Sequence, residues 1–99
     1  MQNWRIDLSW NGAKYCGWQR QPDALSIQAC VEKALLSLFA GEKIVTYAAG
    51  RTDAGVHALQ QIISFQTHGI RSEDSVLRGL NSLLPADIAC LRAMKMPEH

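Results

Sequence analysis

The hydrophobic spacing of this chain switches repeatedly between strand and helix period, and no other feature restricts its fold as much. Trp4, Ile6, Leu8 and Trp10 alternate with Arg5, Asp7 and Ser9, the pattern of a strand with one buried face. Asn11-Gly12 then turns the chain. From Ser26, an N-cap type, the apolar residues Ile27, Cys30, Val31, Ala34, Leu35 and Leu38 recur at helical spacing, and Gly41 is expected at the C′ position that stops this helix. Ile44 to Ala48 returns to strand character, and Gln61 to Thr67 forms a third strand. A second helix is expected after Ser72, with Glu73 and Asp74 at its positive N-terminal end, Val76, Leu77 and Leu80 turned inward, and a stop before Pro85. Ile88 to Met94 closes the pattern as a fourth strand. The order β-α-β-β-α-β predicts an α+β, ferredoxin-like split fold, in which a four-stranded antiparallel sheet carries two helices on one face. The other sheet face then needs a cover or a partner.

Ninety-nine residues, 47% of them hydrophobic, suffice for one core, so residues 1–99 are read as a single domain. No stretch approaches the roughly 18 unbroken apolar residues of a membrane span, and the N-terminus lacks the charge and apolar run of an export signal. A soluble, cytoplasmic chain without membrane contact is expected. Cys16, Cys30 and Cys90 are widely spaced and form no CxxC pair, which predicts reduced thiols and no bound metal. The formal net charge of +1 is low for a self-sufficient nucleic-acid binder, because phosphate neutralisation dominates such binding. Either RNA is not the partner, or much of the basic surface belongs to a part of the protein outside this chain.

The segment Gly50-Arg51-Thr52-Asp53-Ala54-Gly55-Val56-His57-Ala58 holds the densest chemistry, with two glycines bracketing an arginine and a carboxylate between two expected strands. A guanidinium two residues away would favour an ionised Asp53, the form needed for nucleophilic attack. The same spacing also suits a tight turn with a surface ion pair. Upstream, Lys14, Tyr15, Trp18 and Arg20 interleave cations with aromatics, a pattern fitted to phosphate contact and base stacking. Trp18 is equally suited to plugging the core, which leaves Lys14 and Arg20 as the main candidates for RNA contact. His57 is read as holding the loop by hydrogen bonding rather than as a base, and nothing is read into His68.

The segment from Gly50 to Ala58 resembles the signature of TruA-type tRNA pseudouridine synthases, and three further segments fall in the family's order. Lys14-Tyr15-Cys16-Gly17-Trp18-Gln19-Arg20-Gln21 is similar to the family's early Tyr-x-Gly-Trp-Gln-x-Gln stretch, and Ser26-Ile27-Gln28 follows where expected. Leu80-Asn81 through Leu84-Pro85, Asp87 and Ile88 resembles the family's Leu-Asn-x-x-Leu-Pro-x-Asp-Ile stretch. The resemblance implies isomerisation of uridine to pseudouridine in the anticodon stem-loop of tRNA, without cofactor or metal. It implies Asp53 as the catalytic aspartate, attacking either the pyrimidine ring or the sugar. Arg51 would fill the space of the extruded base or hold Asp53 in place. Gly50, Thr52, Gly55 and His57 in the loop, with Lys14, Tyr15, Trp18, Gln19, Arg20 and Gln21 upstream, are the expected substrate-contacting residues.

Trp10 and Asn11 depart from the tyrosine and aspartate usual at those places. The family's second half, with its Ala-Arg-Phe segment, arginine-rich run and active-site tyrosine, is missing, so the chain is expected to be the N-terminal half of the catalytic unit, inactive alone and prone to dimerise. Competing readings are a non-catalytic RRM-type module, an acylphosphatase-like hydrolase and an inactive, RNA-binding or self-associating domain. The RRM reading needs base-stacking aromatics on the third strand, and the hydrolase needs a phosphate-cradling glycine loop after the first.

Overall fold

A computed structural model describes residues 1–15, 17–22, 25–49 and 58–97. Strand β1 (Gln2–Trp10) is followed by a 3-10 turn (Gly12–Lys14), helix α1 (Ile27–Leu38), strands β2 (Tyr47–Ala48) and β3 (Ala58–Thr67), helix α2 (Glu73–Leu83) and strand β4 (Ile88–Met96). The four strands form one antiparallel sheet in the order β2-β3-β1-β4. This is the ferredoxin-like α+β architecture that the alternating hydrophobic periods predict. Among the described residues no helix is long and apolar enough to cross a membrane.

Both helices start where the sequence provides a cap. Ser26 Oγ accepts the Ala29 amide and Ser72 Oγ accepts the Ser75 amide, each satisfying a backbone donor that the first turn leaves unpaired. Ile27, Val31, Leu35, Val76 and Leu80 pack, fully buried, against Trp4, Ile6, Leu8 and Ile63 of the sheet. Leu77 is partly buried beside them. Cys30 and Cys90 are free thiols.

Four expectations need correction. Gly41 is not the C′ residue of α1: Phe39 is the C-cap, Ala40 takes C′ with a positive φ of 54°, and Gly41 follows at φ 90°. The Gly41 amide donates to Leu36 O at 2.7 Å and the Ala40 amide to Ser37 O at 3.4 Å, the bonding of a Schellman ending one residue earlier than the glycine alone indicates. β2 covers only Tyr47–Ala48, because the backbone of Thr46 is bonded by side chains of α1 instead of a neighbouring strand. β3 begins at Ala58 and β4 runs on to Met96, both longer than their apolar runs, since backbone pairing to β1 continues past the last core side chain. Finally, β1 does not have one buried face: Asp7 is 0% exposed although it lies on the side away from the helices. Its Oδ1 accepts from Arg5 Nε at 3.1 Å and its Oδ2 from Gln60 Nε2 at 3.0 Å, which satisfies a carboxylate otherwise costly to bury.

Candidate active-site loop and its frame

The segment Gly50 to His57 lies outside the described residues, and with it Gly50, Arg51, Thr52, Asp53, Gly55 and His57. Its two ends are described. The Ala49 amide donates to Ile62 O at 3.0 Å, and Ala58 pairs with Trp10 of β1. Residues 50–57 are therefore flanked in sequence by a residue bonded to β3 on one side and, on the other, by the first residue of β3, beside the end of β1. At that end β1 is irregular on both sides: its register with β3 shifts between Leu8 and Trp10, and its register with β4 shifts between Asp7 and Leu8. Such bulges sharpen the local twist and re-aim the side chains that follow.

The upstream motif packs against the same end. Trp18 stacks on Trp10 with ring centroids 6.0 Å apart, and Gly17, at φ 100°, adopts a backbone conformation that favours glycine. The carbonyls of Gly17 and Trp18 accept the amides of Ile27 and Gln28 at 3.2 and 2.9 Å. With Ser26 taking the amides of Ala29 and Cys30, all four opening donors of α1 are used internally. The start of α1 is thereby closed as a phosphate cradle.

Of the upstream residues expected to touch substrate, Lys14, Gln19, Arg20 and Gln21 are exposed. Tyr15 and Trp18 are each 5% exposed, so their rings are occupied by the core. Tyr15 Oη donates to Asp87 Oδ1 at 2.5 Å, and the Asn11 amide donates to Asp87 O at 2.9 Å. Asn81 grips Cys90 of β4 at both its amide (2.8 Å) and its carbonyl (2.9 Å). The Tyr-x-Gly-Trp-Gln and Leu-Asn-x-x-Leu-Pro-x-Asp-Ile stretches, far apart in sequence, thus meet across the fold. Trp10 Nε1 is buried and finds no acceptor among the described residues.

Sequence reasoning missed a polar hub behind β2. Glu32 Oε2 accepts the Thr46 amide at 2.8 Å and the Thr46 hydroxyl at 2.9 Å, while Glu32 Oε1 accepts Arg20 Nη2 at 2.8 Å. Gln28 closes the ring: its Nε2 donates to Thr46 O at 3.1 Å and to Glu32 Oε2 at 3.3 Å, and its Oε1 accepts the Arg20 amide at 2.8 Å. Burial pushes the Glu32 carboxyl up, but the Thr46 amide, Arg20 and the Thr46 hydroxyl together outweigh it and hold the group below the ordinary glutamate range. The legible signal was Gln28 and Glu32 four apart on one helix face, a spacing at which side chains meet. A hollow of about 270 Å³ lies between Trp18, Gln19 and Gln28 on one wall and Thr46, Tyr47 and Ala48 on the other, next to the chain leading into the loop.

Tyr47 was also missed. It pairs with Ser64, so it lies on the open sheet face, and at 64% exposure it is the aromatic side chain left to solvent among the described residues. Phe65, the aromatic of β3, is buried on the helix side, so β3 does not present it for base stacking as an RRM-type strand would.

Fold and frame together define a class: a ferredoxin-like α+β domain in which the paired strands β2 and β3 flank, in sequence, a segment that carries a carboxylate. Residues 9–99 match the family model described as tRNA pseudouridine synthase. A protein of Nitrosomonas eutropha named tRNA pseudouridine synthase A is 52% identical over 89 residues, covering 90% of this chain and 32% of that protein. Proteins of the same name from Yersinia pestis and Neisseria meningitidis are 50% and 44% identical, covering 85% and 96% of this chain but 31% and 36% of their own lengths. The chain belongs to the tRNA pseudouridine synthase family, and it spans about a third of the length of the curated relatives it matches.

Proposed function

We propose that this chain carries the nucleophile of a tRNA pseudouridine synthase acting on uridines of the anticodon stem-loop, and that the nucleophile is Asp53. The observation that supports it is the Gly50 to Ala58 signature, preceded in sequence by Ala49, bonded to β3, and ending at Ala58, which pairs with β1. The reaction exchanges a C–N glycosidic bond for a C–C bond. The carbon that joins the ribose loses a proton and the freed nitrogen gains one, so the exchange is redox-neutral and needs no redox cofactor. An ionised Asp53 serves attack on either the ring or the sugar, and enclosure keeps the detached base from escaping to water.

A stacked uridine must leave the stem-loop first, at a cost of a few kcal/mol that protein contacts have to offset. Arg51 either fills the emptied place or orients Asp53, both suited to a planar guanidinium. Gly50, Thr52, Gly55 and His57 complete the loop around the base. Lys14, Gln19, Arg20 and Gln21 are the upstream RNA contacts, with Tyr15 and Trp18 supporting them from the core. The rest of the catalytic cleft comes from polypeptide of the relatives' additional length, which covers the open sheet face; without it the 99-residue chain is catalytically silent and dimerises through that face. The setting of this activity is the cytoplasm.

Asp53→Asn, in an enzyme of the relatives' full length, is expected to abolish tritium release from labelled tRNA without loss of fold, because the amide is nearly isosteric but not nucleophilic. Turnover within about tenfold of the parent would take the catalytic role away from Asp53.

A further inference from the structure

We propose that Glu32 is a positioning residue for the reaction loop: it ties the chain leading into residues 50–57 and the Arg20 loop to one point on α1. This rests on the reading of Asp53 given above. The chain that enters the loop is short of sheet support. β2 has two residues, and before it Ile44, Val45 and Thr46 pair with no strand among the described residues. Thr46 is nevertheless 2% exposed, with its amide and hydroxyl on Glu32 and its carbonyl on Gln28. Two side chains of a helix thus perform the work of a neighbouring strand, and they do so four residues before Gly50.

The same carboxylate holds Arg20, and the same glutamine holds the Arg20 amide, so the four residues form a closed ring joining three separate segments. A shift of Glu32 would move the loop's approach and the basic residue beside it together. Local support of this kind matters for catalysis because a displacement of about 1 Å in a reacting group is enough to cost on the order of a hundredfold in rate. The cations facing Glu32 are Arg20 from the upstream loop, Lys33 from α1 and Lys43 from the chain before Ile44, all lining one groove of about 630 Å³. Lys33 and Lys43 are not bonded to the carboxylate in the ring, so neither replaces Arg20.

The test uses Glu32→Gln, with Thr46→Val and Thr46→Ser as a second pair that leaves the charge in place. On the 99-residue chain, the amides of Thr46 and Arg20 are expected to exchange at least about tenfold faster in Glu32→Gln while those of β1 and α2 stay within about twofold. The Thr46 amide resonance should titrate with Glu32, at a pH below the ordinary glutamate range, and that titration should vanish in Glu32→Gln. Thr46→Val should loosen the same two amides and Thr46→Ser should not. In an enzyme of the relatives' full length, Glu32→Gln should lower kcat at least about tenfold, a larger change than any rise in KM for tRNA that the release of Arg20 brings. Unchanged exchange at Thr46 and Arg20, equal acceleration of all amides, or a rise in KM with kcat preserved would each overturn the proposal. If Asp53→Asn stays active, the catalytic reading fails while the exchange results still judge the ring. If Asp53→Asn is dead and Glu32→Gln keeps its kcat, the positioning role alone falls.

Discussion

At the scale of single residues, Tyr15 shows how a motif residue that looks like an RNA contact is spent on structure. Burial, then the hydrogen bond to Asp87, then the charges of Asp87 and Cys30 all push its phenol far above the ordinary tyrosine range. It therefore remains a neutral donor, clamping the turn after β1 to the segment before β4. Tyr15→Phe keeps the ring packing but strands the Asp87 acceptor, and should lower stability by about 1–2 kcal/mol, read as a drop in the urea midpoint at unchanged slope. A change below about 0.3 kcal/mol would mean that water replaces the phenol without loss. Asp7 and Glu32 follow the same logic, since each buried or half-buried carboxylate takes at least one donor from another segment: Gln60 of β3 for Asp7, Thr46 and Arg20 for Glu32.

Among the elements, helix α1 is the best defined at its start and the most strained at its end. The Gly17, Trp18 and Ser26 acceptors complete its first turn, whereas its Schellman ending places Ala40 at φ 54°, where a Cβ is unfavourable. Ala40→Gly should relieve that conformation, and after allowance for the freer unfolded chain should stabilise the protein by about 0.5–1 kcal/mol. Thermal unfolding of the two chains decides this, a lower Tm in Ala40→Gly being the contrary result. The bulges of β1 belong to the same scale: both lie in its last four residues, where they turn the strand end that pairs with Ala58 and stacks Trp10 on Trp18.

For the molecule as a whole, acid is the natural stress. Glu32 is held below the ordinary range as described, and Glu42 is likewise lowered, chiefly by the His68 amide, with the Gly69 amide adding to it. A carboxylate whose folded pKa lies below its unfolded one stabilises the fold fully above the unfolded value, about 4.3 for Glu. Stability should thus hold from neutral pH to about 5 and fall as pH drops through 4 toward the two lowered pKa values. Tm measured against pH is expected to show this slope, and Glu32→Gln should flatten it; an unchanged slope would assign the acid sensitivity elsewhere. Association is the other property at this scale. The open sheet face exposes Tyr47, Ile62 and Met96, with Asn3, Arg5, Ser64 and Gln66 around a groove of about 470 Å³. Sedimentation of the 99-residue chain is expected to show a dimer at high concentration and a tritium-release assay no turnover. An active monomer would contradict both expectations.

The amino-acid sequence alone determined the order and type of the elements, because each strand and helix announces itself by a local period and Ser26 and Ser72 mark both helix starts. It also determined the family, through short motifs whose spacing survives without knowledge of their contacts. What those residues do for one another was settled only by tertiary structure. Thr46 reads as strand, yet its backbone bonds to Glu32 and Gln28. Asp7 reads as a solvent-facing residue, yet Gln60 and Arg5 bury it. Tyr15 reads as an RNA contact, yet its ring fills the core, and of the two roles the sequence leaves open for Trp18 the ring takes the core one. In each case a deciding partner lies on another segment, and a bond or contact between distant segments leaves no periodic trace in the chain that makes it.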